Sequence, residues 1–127
     1  MTRRELKEKL KFEGITDADI MDICEVTEEM VLSTSRKREI VECRTLCMVN
    51  LWANTNKSLT LVGSCYSRDH ATVLHSIRKV VDALDGWNDS MLTLIKKIRQ
   101  RNYPMYRSFE ECQLNEVQSI IILENAR

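Results

Sequence analysis

The chain has 127 residues, 19 basic against 19 acidic side chains, and no apolar run long enough to cross a bilayer, so a membrane span is excluded and one domain, or one domain with an appendage, is expected. The zero net charge hides a division: residues 1–30 sum to −4, residues 31–107 to +7 and residues 108–127 to −3. A basic middle suits an anionic partner, although lysines and arginines that merely solvate a helical surface give the same pattern.

With one proline and three glycines, little interrupts helices, and strand-like alternation is missing, so the chain reads as all-α. The opening M-T-R-R-E-L-K-E-K-L-K-F is too charged for a secretory signal. It predicts a short helix from Arg3 to Phe12, ended by Gly14. Thr16 starts a second helix, D-A-D-I-M-D-I-C, with acids in the first turn where the helix dipole favours them. A third begins near Thr27 with Glu28 and Glu29 in its first turn. The basic segment Ser35-Arg36-Lys37-Arg38 follows, then a long helix from Arg38 to Thr55 with Ile40, Cys43, Cys47 and Leu51 inward and Met48 beside them. Ser58 caps a short helix running to about Cys65. Gly63 lies near its end, either for close approach of a neighbouring helix or as a plain C-cap. Asn88 or Ser90 opens a helix to about Arg101 with Met91, Leu94, Ile95 and Ile98 apolar. Pro104 breaks the chain, and Ser108-Phe109-Glu110-Glu111 is a capping box for a last helix holding Leu114, Val117, Ile120, Ile121 and Leu123.

The five cysteines, Cys24, Cys43, Cys47, Cys65 and Cys112, include no C-x-x-C pair. No histidine stands at metal-ligand spacing beside Cys43 and Cys47. Buried free thiols in a reducing cytoplasm are expected, with no metal and no cofactor.

The most informative stretch is Ser67 to Val80, S-R-D-H-A-T-V-L-H-S-I-R-K-V. A tight turn at Tyr66 and Ser67 leads into a helix from Asp69 to about Leu84. Val73, Leu74, Ile77, Val80, Val81 and Leu84 form an apolar stripe at helical spacing. Arg68, Thr72, His75, Ser76 and Lys79 fall on the other side, which offers donors, acceptors and positive charge suited to base edges and phosphates. A solvated amphipathic surface explains the face equally well. Two helices joined by a short turn, the second polar on its outer side, make a helix-turn-helix.

The order S-R-K-R-E-I-V-E-C-R (Ser35 to Arg44), then S-L-T-L-V-G (Ser58 to Gly63), then R-D-H-A-T-V-L-H-S-I-R-K (Arg68 to Lys79) closely resembles the C-terminal DNA-binding domain of DnaA, the bacterial replication initiator. The resemblance runs from about Ile20 to Leu84. It implies an all-α domain with a helix-turn-helix of the DnaA C-terminal or Trp repressor-like type over residues 1–87. Residues 88–127 are then additional helices that pack on it or form an oligomer contact. It also implies the partner, double-stranded DNA, and the site residues. Asp69, His70 and Thr72 match the family's base-reading positions, with His75 further along the same helix; Asp69 as the helix N-cap is the competing role. Arg36 matches an arginine that enters the adjacent minor groove, with Lys37 beside it. Arg44 matches a phosphate contact, Arg68 leads the motif toward another, and Lys79 lies where a backbone contact is expected. Lys37, Arg38, Lys57 and Arg78 are weaker candidates that neutralise the backbone.

Two departures bear on specificity. The family pattern G-G-R-D-H-T-T is here Y-S-R-D-H-A-T, with one residue fewer in the turn and Ala71 in place of a hydroxyl residue. No P-loop pattern G-x-x-x-x-G-K-[ST] occurs and no nucleophile–base set is visible, so no nucleotide and no enzymatic activity are expected of this chain. The competing reading is a protein-interaction module that kept the fold without specific DNA binding. The run Ile120-Ile121-Ile122-Leu123 cannot all face one core, and a homodimer through the last helix accounts for it.

Overall fold

A computed structural model describes residues 1–101 of the chain. The capping box at Ser108, the final helix, Cys112 and the proposed dimer face lie outside the described residues. The chain divides into two units, residues 1–94 and 95–127; the first holds every candidate site residue. Seven helices occupy the described residues: α1 Arg3–Leu10, α2 Asp17–Cys24, α3 Glu28–Leu32, α4 Arg38–Asn54, α5 Leu59–Cys65, α6 His70–Leu84 and α7 Asp89–Gln100. None of them is long and apolar enough to cross a membrane.

The helix starts follow local chemistry. Thr2, Thr16, Thr27, Ser58 and Asp69 each stand in extended backbone, and each side chain accepts the N–H three residues on. Asn88 does the same for the Met91 amide at 3.1 Å, which settles the start of α7 in favour of Asn88 over Ser90. Each such bond satisfies one of the amides that a helix start leaves open. Only α4 departs: Lys37 is its N-cap and makes no side-chain capping bond. Lys37 and Arg38 also place positive charge where the helix dipole disfavours it.

The long helix is not amphipathic. From Glu42 to Asn50 every residue of α4 is buried, while Leu51, expected to face inward, is only half-buried. The reason is position: α1, α2, α3, α5 and α6 all pack against α4, so it has no solvent side over its middle turns. A helix surrounded in this way loses its polar stripe. Two of its buried polar residues tie it to neighbouring segments. Asn50 accepts the Phe12 N–H at 3.0 Å and donates to the Ile15 carbonyl at 3.1 Å, tying the α1–α2 link to the core. Glu42 accepts the Ser90 hydroxyl, at 2.9 Å to one carboxylate oxygen, and this anchors the first turn of α7.

Burial corrects the cysteine expectation in part. Cys43 and Cys47 are buried, but Cys24 is half-buried and Cys65 is exposed; all four are free thiols. A hydrogen bond with Cys24 lowers the pKa of the Cys43 thiol, but its bond with Cys47 and its burial outweigh that and push it up to about 12.

The α5–α6 turn closes as a Schellman motif. The Arg68 N–H donates to the Gly63 carbonyl at 2.8 Å and the Ser67 N–H to Ser64 at 3.3 Å. Ser67 occupies the left-handed position, φ 57°, where the family pattern carries glycine. An L-residue there is held at a cost of about 1 kcal/mol. Ser67→Gly is therefore expected to raise stability by about 0.5–1 kcal/mol, offset partly by the greater freedom of glycine in the unfolded chain. Urea unfolding followed by circular dichroism checks this; a lower midpoint would contradict it.

Candidate nucleic-acid interface

The outer face of α6 is rotated relative to the sequence expectation. The helix buries Val73, Ser76, Ile77, Val80 and Ala83, a stripe at helical spacing set by packing on α4 and α5. Ser76, expected on the polar side, is 3% exposed, and Leu74, expected in the core, is 37% exposed. Val81 and Leu84 are half-buried. The exposed face is His70, Ala71, Leu74, His75, Arg78 and, toward the end of the helix, the acidic Asp82, with Thr72 and Lys79 half-buried at its margin. Successive helical residues turn by about 100°, so Leu74 leaves the core one step after Val73 while Ser76 and Ile77 return to it. Leu74 and Arg78 are thus members of the face that the residue pattern assigned to the core and to the weaker candidates.

Asp69 has its competing role in full view: it caps α6. Its Oδ1 accepts the Thr72 N–H at 2.9 Å and the Thr72 hydroxyl at 2.8 Å. These bonds, the backbone one first, hold its carboxyl below the usual carboxylate range. The cap fixes the Thr72 hydroxyl toward Asp69 and presents His70 at the first position of the helix.

Gly63 resolves both alternatives raised for it. Its carbonyl is a C-cap acceptor, and its missing side chain also permits close approach. A Cβ there would lie 2.5 Å from the Arg68 carbonyl oxygen and 3.0 Å from that of Asp69. On the other side of the turn the buried Tyr66 donates its hydroxyl to Asp17 of α2. Burial first, then this bond to the carboxylate, pushes the Tyr66 phenol up; burial likewise raises Asp17. The turn is therefore fixed from two directions.

Two arginines hold the basic loop, Arg44 from α4 and Arg68 from the turn before α6. Arg44, expected at a phosphate, is 6% exposed. Its Nε donates to the Val31 carbonyl at 2.7 Å and its Nη2 to those of Ser33 at 3.0 Å and Ser35 at 3.2 Å. Arg68, half-buried, donates from Nη1 to the Tyr66 carbonyl at 2.9 Å and from Nη2 to that of Ser33 at 2.7 Å. The expected free guanidiniums are thus both engaged inside the fold. Burial first, then the charge of Arg68, lowers the Arg44 pKa. Ser33, whose carbonyl receives both, carried no signal in the sequence, because a backbone acceptor is independent of residue type. Arg36, Lys37 and Arg38 are all exposed. No group of three or more histidines, cysteines or acids that could hold a metal occurs among the described residues.

An all-helical domain in which a capped, outward-facing helix follows a short tight turn belongs to the helix-turn-helix class. The family model for the bacterial dnaA protein helix-turn-helix matches residues 16–80, just over half the chain. The chain belongs to that family. Among curated proteins it is similar to the chromosomal replication initiator protein DnaA of Gloeobacter violaceus, 39% identical over 71 residues, covering 52% of this chain and 16% of the relative. The protein of the same name from Porphyromonas gingivalis is 32% identical over 95 residues, covering 74% of this chain and 20% of the relative. That from Deinococcus radiodurans is 28% identical over 75 residues, covering 59% of this chain and 16% of the relative. The chain thus spans between a sixth and a fifth of the length of these relatives. No solved structure matches.

Proposed function

We propose that the chain binds double-stranded DNA sequence-selectively, with α6 in the major groove and the loop at Arg36 in the adjacent minor groove, in replication-related or transcriptional regulation. The observation that carries this reading is the bond from Arg68 Nη2 to the Ser33 carbonyl, because it joins the loop to the start of the reading helix. Two elements that must meet neighbouring grooves are held in one rigid arrangement.

On this reading His70 and His75 reach base edges, with the Thr72 hydroxyl at the margin and Asp69 positioned to accept from a cytosine amino group. Ala71 supplies no hydrogen bond; beside the exposed Leu74 it favours contact with thymine methyl groups. The cost of the missing hydroxyl contact, about 1–3 kcal/mol for a base contact, shifts the preferred sequence rather than abolishing binding. Lys37, Arg38, Arg78 and Lys79 neutralise phosphates, and the amides at the uncapped start of α4 are further donors to the backbone. Arg44 and Arg68 contribute charge to this field from within the fold.

Fluorescence anisotropy on random and A·T-rich duplexes tests the reading. Neutralising several phosphates makes affinity fall by more than about tenfold between 50 and 200 mM salt. A dissociation constant weaker than about millimolar at low salt, short even of ordinary non-specific binding, would sink the proposal.

A further inference from the structure

The loop from Ser33 to Lys37 has little to hold it besides the two arginines. Its other bonds are local: the Ser33 hydroxyl donates to the Met30 carbonyl, the Ser35 N–H to Ser33 Oγ at 3.2 Å and the Lys37 N–H to Ser35 Oγ at 3.3 Å. Long-range hydrogen bonds reach it from Arg44 and Arg68, and both guanidiniums meet at one acceptor, the Ser33 carbonyl. Among the described residues no ion pair to a carboxylate is seen for either arginine. Two like charges sharing one neutral oxygen is a poor way to stabilise a fold, since a neutral amide donor would hold the same carbonyl without the repulsion. What a guanidinium alone supplies is a planar fork that bonds in two directions at once. Arg68 uses both: Nη1 holds the Tyr66 and Ser67 carbonyls of the helix-turn-helix turn, and Nη2 holds Ser33.

We propose that Arg68 is a positioning residue that sets the register between the two groove contacts, clamping the loop three residues before Arg36 to the turn one residue before Asp69. Arg44 completes the clamp from the core side. The inference rests on the DNA-binding reading above and deepens it. Preorganised in this way, the Arg36 arm pays no ordering cost when α6 docks, so minor-groove and major-groove contacts form together rather than independently.

A double-mutant cycle isolates this coupling. Arg68→Lys retains the charge but not the fork, since one ammonium cannot hold the turn and Ser33 together. On a duplex selected from a random pool by the unaltered chain, Arg36→Ala is expected to weaken binding about tenfold or more. In the Arg68→Lys background the same substitution is expected to cost less than about threefold, well outside the agreement shown by independent sites. Exchange of A·T for G·C pairs under the loop, which places an amino group in the minor groove, should lose its effect in parallel. The change in salt slope caused by Arg36→Ala, about one ion in the unaltered chain, should shrink in the same background. A residue with a merely structural role would lower the folded fraction and leave the Arg36 effect intact.

An Arg36→Ala cost that is equal in both backgrounds, with circular dichroism showing the native helical signal, overturns the clamp. Absence of any Arg36 effect in the unaltered chain overturns the minor-groove reading itself, and the clamp with it. Should Arg68→Lys fail to fold, Arg44→Lys carries the same expectation. Faster hydrogen exchange of the Arg36 and Lys37 amides in that variant, with α6 amides unaltered, supports the clamp, and unchanged exchange of the loop removes it.

Discussion

Gly63→Ala is expected to lower the stability of the fold by about 1–3 kcal/mol or more. In most helices the same exchange is favourable by about 0.5–1 kcal/mol, because alanine has less backbone freedom to lose. Here the sign reverses. The added Cβ would meet the Arg68 carbonyl oxygen at 2.5 Å, the Asp69 carbonyl oxygen at 3.0 Å and the Arg68 carbonyl carbon at 3.1 Å. All three are backbone atoms at the entry to α6, so no side-chain rotation relieves the contact. Either α5 withdraws or the turn opens, and the Arg68 N–H loses its 2.8 Å bond to the Gly63 carbonyl. Thermal unfolding by circular dichroism should show a fall of about 5–20 °C, at some 4–8 °C per kcal/mol for a domain of this size. A midpoint that rises would mean that the two helices are not in close contact. Because the displaced residue is Arg68, the surviving folded protein should also bind DNA less tightly than Arg68→Lys does.

Arg36→Ala is expected to act on binding and not on stability. Arg36 is exposed, so its removal leaves the core and the clamp in place, and the unfolding midpoint should stay within about 0.5 kcal/mol of the original. Affinity for a selected duplex should fall by about 10- to 150-fold, the equivalent of about 1.4–3 kcal/mol for a specific groove contact. The logarithmic salt dependence should become shallower by about one ion's worth, since one cation leaves the interface. Anisotropy titrations at three or four salt concentrations measure both quantities. The contrast with Arg44 is instructive. Arg44→Ala would remove the side-chain donor of the Val31 and Ser35 carbonyls and leave that of Ser33 to Arg68 alone, so its loss of binding would come with a loss of stability, as expected when buried polar groups lose their partners.

Much of the architecture is legible in the residues because much of it is local. A cap is a bond between a side chain and an amide three residues away, so Thr2, Thr16, Thr27, Ser58 and Asp69 announce helix starts wherever the chain is placed. The helix-turn-helix was visible from its ordered blocks, and the family model covers residues 16–80. The same local logic fails for α4, where the apolar positions suggested one inward stripe. A helix packed against five others has no outside over its buried turns, and no pattern within it records how many neighbours it has.

What the sequence determined by itself was the succession of helices among the described residues, most of their starts, the tight turn and the family, because each rests on bonds or motifs within a few residues. The tertiary structure alone decided that Leu74 looks out and Ser76 in, that Arg44 is buried, and that Arg44 and Arg68 converge on Ser33. Those outcomes depend on the rotation of α6 against α4 and α5 and on backbone carbonyls from distant segments. A carbonyl has the same chemistry in every residue, so only the packed chain shows which one an arginine will find.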